Sequence, residues 1–189
     1  MGAPPAGGIA ASGADMGRFM IAHLNQGAGL MKPETARMMH DTPLTLMPPL
    51  NRMELGFFET NLNGRQIIGH LGDTVQFHTG LHLFMHENVG FYVSVNSLGK
   101  DKAAGPVRRA LFEDFTDRYF PRVGPADGRV DAATAAEHAR LMVGNWLNSR
   151  RSETNFRAFL NLLNQYKIGL DDKGELVLPG RKGRALGRG

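Results

Sequence analysis

The chain has 189 residues, no cysteine and a formal net charge of +4, with 42% hydrophobic and 21% charged residues. This composition is typical of a folded globular protein with a hydrophobic core. The absence of cysteine excludes a disulfide framework, a thiolate zinc site and a cysteine nucleophile. Residues 181–189 contain four basic residues and no acid, so the remainder is neutral and no nucleic-acid-binding surface is indicated.

Targeting and membrane signals are weak throughout the sequence. No run of apolar residues is long enough to predict a membrane-spanning segment. Residues 1–11 lack the basic and apolar regions of a signal peptide. The sequence therefore leaves the cellular compartment open.

Two short helices are predicted near the start of the chain. Ser12 followed by Asp15 is typical of a capping box, and apolar residues follow at helical spacing, which predicts a helix over residues 13–26. Pro33 stands at the favoured first position of a second helix. Residues 41–51 contain three prolines and are predicted to form a loop.

Four strands are predicted next, over residues 53–60, 65–69, 75–86 and 89–95. Asn63-Gly64 predicts a tight hairpin turn, because both residues tolerate a positive φ. Strands joined by such short connections indicate an antiparallel meander, and a helix over 106–119 would cover one face of it. The predicted fold class is therefore α+β, an antiparallel β-sheet flanked by helices.

A stretch rich in Gly, Pro and Asp over residues 122–129 predicts a boundary. The main domain would then occupy residues 1–122, followed by a linker and an Asp131-capped helix over 123–143. A partial β-rich module is predicted over 144–179, with strands at 161–168 and 175–178, and a disordered basic tail over 180–189.

One segment resembles a known family. Gly69-His70-Leu71-Gly72-Asp73-Thr74, together with the stretch from Pro5 to Ser12, Asp15-Met16 and Phe19, resembles serine β-lactamases and penicillin-binding proteins, nearest to class C-like esterases and peptidases. Many of these enzymes use His-x-Gly as their third motif, which His70-Leu71-Gly72 matches. The resemblance covers residues 4–121. It implies the C-terminal part of such a hydrolase domain, inactive alone because the Ser-x-x-Lys and Tyr-x-Asn motifs are absent.

The resemblance implies three catalytic residues: His70, Gly72 and Asp73. His70 would line the site and could donate to substrate or move a proton near neutral pH. The Asp73 backbone N–H would supply one donor of an oxyanion hole. The implied substrate is a small-molecule ester, amide, β-lactam or peptide. No cofactor and no metal are indicated.

Two further patterns are predicted not to carry chemistry. Residues 97–100 spell Ser-x-x-Lys, but they lie at a strand end rather than on a helix, where the lysine would face the serine. His78, His82 and His86 are spaced by four, which on a strand places neighbours about 13 Å apart, too far to share one ion.

The alternative function is a non-catalytic binding module, or an inert remnant, that uses the residual cleft. An exposed apolar surface is expected where a helical half is missing, and it predicts self-association or a complementing N-terminal half. The candidate residues for that surface are Met16, Met20, Met38, Met39, Phe57 and Phe58.

Overall fold

The structure is a computed structural model that describes residues 7–41, 51–122, 130–148, 151–152 and 154–178. The chain divides into two compact units, Met1–Val123 (unit 1) and Gly124–Gly189 (unit 2). Antiparallel sheets flanked by helices confirm the predicted α+β fold class. The finer division of residues 123–189 stays a prediction. Most of the predicted loop at 41–51, nearly all of the predicted boundary segment and the basic tail lie outside the described residues.

The sheet of unit 1 is an antiparallel meander whose spatial order follows the chain. Its strands are β1 (Phe58–Glu59), β2 (Ile67–Asp73), β3 (His78–Phe84) and β4 (Val89–Val95). The predicted turn at Asn63-Gly64 is confirmed, with φ of 53° and 73°. Strand β1 pairs with β2, β2 with β3 and β3 with β4, so each strand pairs only with its neighbours in sequence.

Three predicted strands have the wrong boundaries. Strand β2 runs on to Asp73 rather than ending at residue 69, because residues 70–73 pair with residues 78–81 of β3. Local turns explain the other two. Strand β1 has two residues rather than eight, because the chain reverses before it, with Gly56 at a φ of 81° and a backbone bond from Glu54 N to Phe57 O. Strand β3 begins at His78 rather than at residue 75. The Thr74 N–H donates to the Phe77 carbonyl at 2.9 Å and closes a tight turn there.

Helices cover both faces of this sheet. One face places Ile68, Leu81 and Leu83 in a core cluster with Phe57, packed by methionines of α1 (Gly13–Leu24). The predicted capping box of α1 is confirmed. The other face buries a second cluster against α3 (Ala104–Tyr119), formed by Ile67, Phe84 and Phe112 with Phe91, Phe115 and Phe120 around them.

A buried pair of histidines joins α1 to α2 (Pro33–His40). His23 Nδ1 and His40 Nε2 lie 2.9 Å apart in a hydrogen bond, and both rings contact Phe57 edge-on. Burial lowers the pKa of His23. Burial and, to a lesser extent, the neighbouring His23 lower the pKa of His40 to about 4. The pair is therefore neutral near pH 7, when one ring can donate and the other accept.

The apolar surface expected on unit 1 is largely filled from within the chain. Phe57 is 4% exposed, and Met16, Met20 and Met39 pack against its cluster, whereas Met38 stays exposed. The two N-terminal helices, which the sequence predicted, contribute Met16, Met20 and Met39 to this cluster.

Unit 2 contains α4 (Ala132–Met142) and a second antiparallel sheet of β5 (Gly144–Trp146), β6 (Tyr166–Leu170) and β7 (Leu176–Val177). The Asp131 cap is confirmed, since its carboxylate accepts from Ala133 N and Thr134 N. The strand predicted over 161–168 is wrong in its first half, where a 3₁₀ helix runs from Phe156 to Leu162. No helix in the described part of the chain is long and apolar enough to cross a membrane.

Candidate functional site

The three residues predicted for the site lie on strand β2. Side chains alternate along a strand, so His70 and Gly72 share one face of the sheet while Asp73 belongs to the other. The structure therefore brings the three residues together in the backbone but separates the His70 ring from the Asp73 carboxylate.

His70 is exposed, and its ring lies 5.4 Å from the ring of Phe58 in a tilted arrangement. Gly72, two residues further along the same face, borders Thr79 of β3. A side chain on Gly72 would place its Cβ 2.5 Å from Thr79 Oγ1. The Thr79 side chain therefore fills the space beside Gly72, which only a glycine leaves free for it.

Asp73 belongs to a charge cluster on the α3 side of the sheet. Its Oδ1 accepts from His78 Nδ1 at 2.7 Å and from Arg108 Nη1 at 2.9 Å. Partial burial alone would raise the pKa of Asp73, but the hydrogen bonds from His78 and Arg108 outweigh it and hold that pKa below its usual value. Asp73 is therefore ionised near neutral pH, and His78 Nδ1 carries the donated hydrogen.

Arg108 links the ends of two strands to helix α3. Besides Asp73, its Nη1 donates to the carbonyl of Thr79 at 2.9 Å and to that of Gly72 at 3.4 Å. The arginine side chain is only 11% exposed. His78 Nε2 is buried and has no hydrogen-bond partner among the described residues. These contacts fix the position of the last residues of β2.

His82 fills the centre of the same face. Its ring stacks on Phe112 with centroids 3.7 Å apart, and its Nδ1 lies 3.0 Å from Thr60 Oγ1. Burial and, to a lesser extent, the positive charge of Arg108 lower the pKa of His82 to about 4. Within the described ranges, no three His, Asp or Glu side chains are grouped so that they could hold a metal ion.

The outer edge of β2 is only partly paired. Strand β1 meets it at Ile68 and Gly69, and the chain before Phe58 turns away. The Met85 N–H donates to the Gln66 carbonyl, and the Thr74 N–H donates to the Phe77 carbonyl. These two bonds fix which residues of β2 direct their backbone N–H and C=O groups toward β3 and which direct them outward.

Residues 68, 70 and 72 consequently bond to β3, whereas 67, 69, 71 and 73 face outward. The outward groups of Ile67 are used, since its carbonyl accepts from Thr60 N and its N–H donates to Asn61 Oδ1. In the described part of the chain, no strand pairs with the outward N–H and C=O groups of Leu71 and Asp73.

Sequence reasoning missed Arg108 and His78, although a signal was present for both. Arg108 follows Ala104 and precedes Phe112 at a spacing of four, which places it in the buried row of α3. His78 is separated from His82 and Phe84 by an even number of residues on β3, so the three lie on the same face of the sheet. A charged residue in a core-facing row predicts a buried partner.

Comparisons with known proteins give distant matches. No family model matches the sequence, and no curated protein matches it. Two solved structures of SurE, one of them with D-Leu, match over 88% of this chain at 15% and 16% identity, each with a TM-score of 0.46. The chain spans 35% and 36% of the length of those proteins.

These findings contradict the predicted family. The matching structures are of SurE, and neither a family model nor a curated relative supports a serine β-lactamase or penicillin-binding protein. On these findings, membership of that family and the function of a β-lactamase-like hydrolase fragment are wrong. The motif has a local explanation, because a Cβ on Gly69 would collide with the Leu81 carbonyl and one on Gly72 would crowd Thr79.

Proposed function

We propose that unit 1 binds an extended polypeptide segment, which adds as a further strand along the outer edge of β2. The observation that carries this proposal is the unpaired edge at Leu71 and Asp73. Addition of a strand to an exposed sheet edge is a recurring mode of peptide recognition, in which backbone bonds provide affinity and side-chain pockets provide selectivity. Of the ligands predicted from the sequence, this proposal retains the peptide.

The edge offers four backbone groups, the N–H and C=O of Leu71 and of Asp73. At about 1 kcal/mol net for each hydrogen bond, a guest strand would gain about 4 kcal/mol before the cost of ordering it. The Asp73 N–H, predicted as an oxyanion donor, becomes one of these peptide-binding groups. The cluster of Arg108, Asp73 and His78 supports the proposal because it holds the edge in place before a ligand arrives.

Side-chain contacts would come from both ends of the exposed edge. His70 presents an exposed ring that can donate to or accept from the guest. The Thr79 side chain occupies the space beside Gly72, so that position adds no pocket for a guest side chain. Val75 and Phe77, exposed at the β2–β3 turn, provide apolar contact area. Within this proposal, His70 and Asp73 act as binding residues, whereas the backbone of Gly72 bonds to β3.

The decisive variant is Leu71→Pro, with Leu71→Ala as its matched control. Proline removes the outward N–H and fills the edge, yet it removes no bond to β3, so the strand can accommodate it. A random heptapeptide phage library selected on the immobilised full chain provides the probes. We expect synthetic versions of the enriched peptides to bind the alanine variant within about threefold of wild type and the proline variant at least about tenfold more weakly.

Backbone N-methylation of an enriched peptide gives an independent measurement if the proline variant misfolds by circular dichroism. Only every second residue of the bound peptide would direct its N–H toward β2. Methylation of those residues should abolish binding, and methylation of the residues between them should leave binding intact. Failure of the library to enrich any peptide would overturn the proposal, as would enriched peptides that bind the folded proline variant normally. Dimerisation of the free chain that is lost in Leu71→Pro, without peptide binding, would assign the edge to a second copy instead.

A further inference from the structure

We propose that two copies of unit 1 pair through the outer edge of β4 and join their sheets into one. Strand β4 stands at the end of the sheet, and no strand in the described part of the chain lies beyond it. The self-association predicted from the sequence would then use this edge rather than the six apolar residues expected to form an exposed surface. The edge of β4 is separate from the edge of β2 proposed to bind peptides, and this inference does not depend on that proposal.

The outward backbone groups of β4 follow from the pairing along the sheet. Since residues 68, 70 and 72 of β2 bond to residues 83, 81 and 79 of β3, the intervening residues of β3 bond to β4. Their partners on β4 are residues 89, 91, 93 and 95. Gly90, Tyr92 and Ser94 therefore direct their N–H and C=O groups outward, where no strand of the described residues pairs with them.

Strand β4 has none of the features that usually keep an edge strand from pairing. Residues 88–99 contain no charged residue and no proline. The register with β3 is one-to-one from Val89 to Val95, so the strand has no bulge. Helix α1 covers a face of β4 rather than its edge, since Met20 Sδ lies 2.8 Å from the position that a Cβ on Gly90 would take. Natural sheets protect an exposed edge with charges, prolines or bulges, so this edge is suited to pairing.

An exposed apolar row of α3 lies on the β4 side of the sheet. Val107 and Leu111 precede Phe115 at intervals of four, so the three side chains lie along one side of the helix. The Phe115 ring contacts Phe91 of β4, with centroids 4.9 Å apart, whereas the neighbouring buried row of α3 contacts β3. Val107 and Leu111 are nevertheless 46% and 44% exposed. Covering this row and the edge together requires a partner that brings both a strand and apolar area.

A second copy of unit 1 supplies both. In a two-fold antiparallel pair centred on Tyr92, this residue faces its counterpart and Gly90 faces Ser94, so each outward N–H meets an outward C=O. The same two-fold operation brings the two apolar rows of α3 together on one face of the joined sheet. Unit 1 has eleven basic and eleven acidic residues, all in the described ranges, so net charge does not keep two copies apart. A single peptide strand would pair with the edge but would leave Val107 and Leu111 exposed.

Sedimentation velocity of the full chain from about 1 μM to about 100 μM tests the pairing, and we expect a dimer at the upper end of this range. The decisive variant is Ser94→Pro, with Ser94→Ala as its matched control. Proline removes an outward N–H and fills the edge, yet it removes no bond to β3. The proline variant should dimerise at least about tenfold more weakly than wild type, and the alanine variant within about threefold of it.

The apolar row has its own pair of variants. Leu111→Lys places a charge on each side of the two-fold contact and should weaken dimerisation at least about tenfold. Leu141→Lys changes an exposed leucine on helix α4 of unit 2, and this control should dimerise normally.

Single cysteine substitutions report the register directly, because the chain has no cysteine of its own. In the proposed pair, the Cα atoms at position 92 lie about 5.5 Å apart, within reach of a disulfide. The two copies of position 94 lie about 14 Å apart, which is too far. Oxidation should therefore give a covalent dimer from Tyr92→Cys and none from Ser94→Cys.

Several results would overturn the inference. One is a chain that stays monomeric throughout the concentration range, and another is unchanged dimerisation of a Ser94→Pro variant that is folded by circular dichroism. Amides of Gly90, Tyr92 and Ser94 that resist hydrogen exchange in a monomer would assign the edge to another segment of the same chain. A covalent dimer from Ser94→Cys but not from Tyr92→Cys would contradict the two-fold pair centred on Tyr92.

Discussion

Lowering the pH from about 7 to about 5 should destabilise unit 1, because His40 and His82 are buried in their neutral forms. His40 is 7% exposed and His82 is 4% exposed, and burial lowers the pKa of each from 6.5 to about 4. The unfolded chain therefore binds protons more readily than the folded one. The stabilising contribution is present above pH 6.5 and is lost progressively as the pH falls from 6.5 towards 4.

The size of the effect follows from the two pKa values. A histidine that titrates at 6.5 when unfolded and at about 4 when folded loses about 2 kcal/mol of stabilisation between pH 7 and pH 5. Two independent groups would lose about 4 kcal/mol, a large part of the stability of a small domain. His23, whose pKa is also lowered by burial, acts in the same direction.

Urea unfolding at the two pH values measures this loss. Far-UV circular dichroism follows the whole chain, whereas the fluorescence of Trp146, the single tryptophan, follows unit 2, so the difference isolates unit 1. His82→Gln should remove about half of the pH dependence of unit 1. His138→Gln, an exposed histidine of unit 2, is the control and should leave the unit 1 transition unchanged. An equal midpoint for unit 1 at both pH values would refute the reasoning.

Two further predictions concern the geometry around β2. Gly69→Ala should lower the free energy of unfolding by about 2–3 kcal/mol in urea titrations, because its Cβ would collide with a backbone carbonyl of β3. Gly17→Ala has open space and should be neutral or slightly stabilising, so equal effects of the two would contradict this reasoning. Arg108→Ala should cost about 2 kcal/mol, because it leaves Asp73 and two strand carbonyls without their donor. Arg109→Ala, which breaks an exposed pair on the same helix, should cost less than about 0.5 kcal/mol, and a comparable loss there would argue against a special role for Arg108.

The parts of the fold that the sequence predicted correctly depend on local chemistry. The Ser12–Asp15 capping box, the Asn63-Gly64 turn and the Asp131 cap each involve groups within a few residues of one another. The apolar runs likewise predicted β3 and β4, because alternation and β-branched content are properties of the segment itself. These signals were sufficient to predict an antiparallel sheet flanked by helices.

The candidate site was less predictable because its properties arise from distant parts of the chain. Arg108 reaches Asp73 from a helix that lies 35 residues away, and His82 meets Thr60 across 22 residues. The open edge of β2 depends on where β1 begins, which a turn near Gly56 decides. A three-residue His-x-Gly match contains none of this information, and it led the prediction to a family that the comparisons contradict.

The elements around the meander differ in the loop-closure entropy that is lost when they assemble. Each strand pairs with its sequence neighbour, so the loops that must close are short. Helix α1 is different, because 65 positions separate Leu24 at its end from Val89 at the start of β4, against which it packs. Closing a loop of that length costs about 2–3 kcal/mol more than closing a four-residue turn. The contacts of Met20 over Gly90 must offset that cost. Attaching α1 to β4 therefore loses more loop-closure entropy than pairing neighbouring strands does.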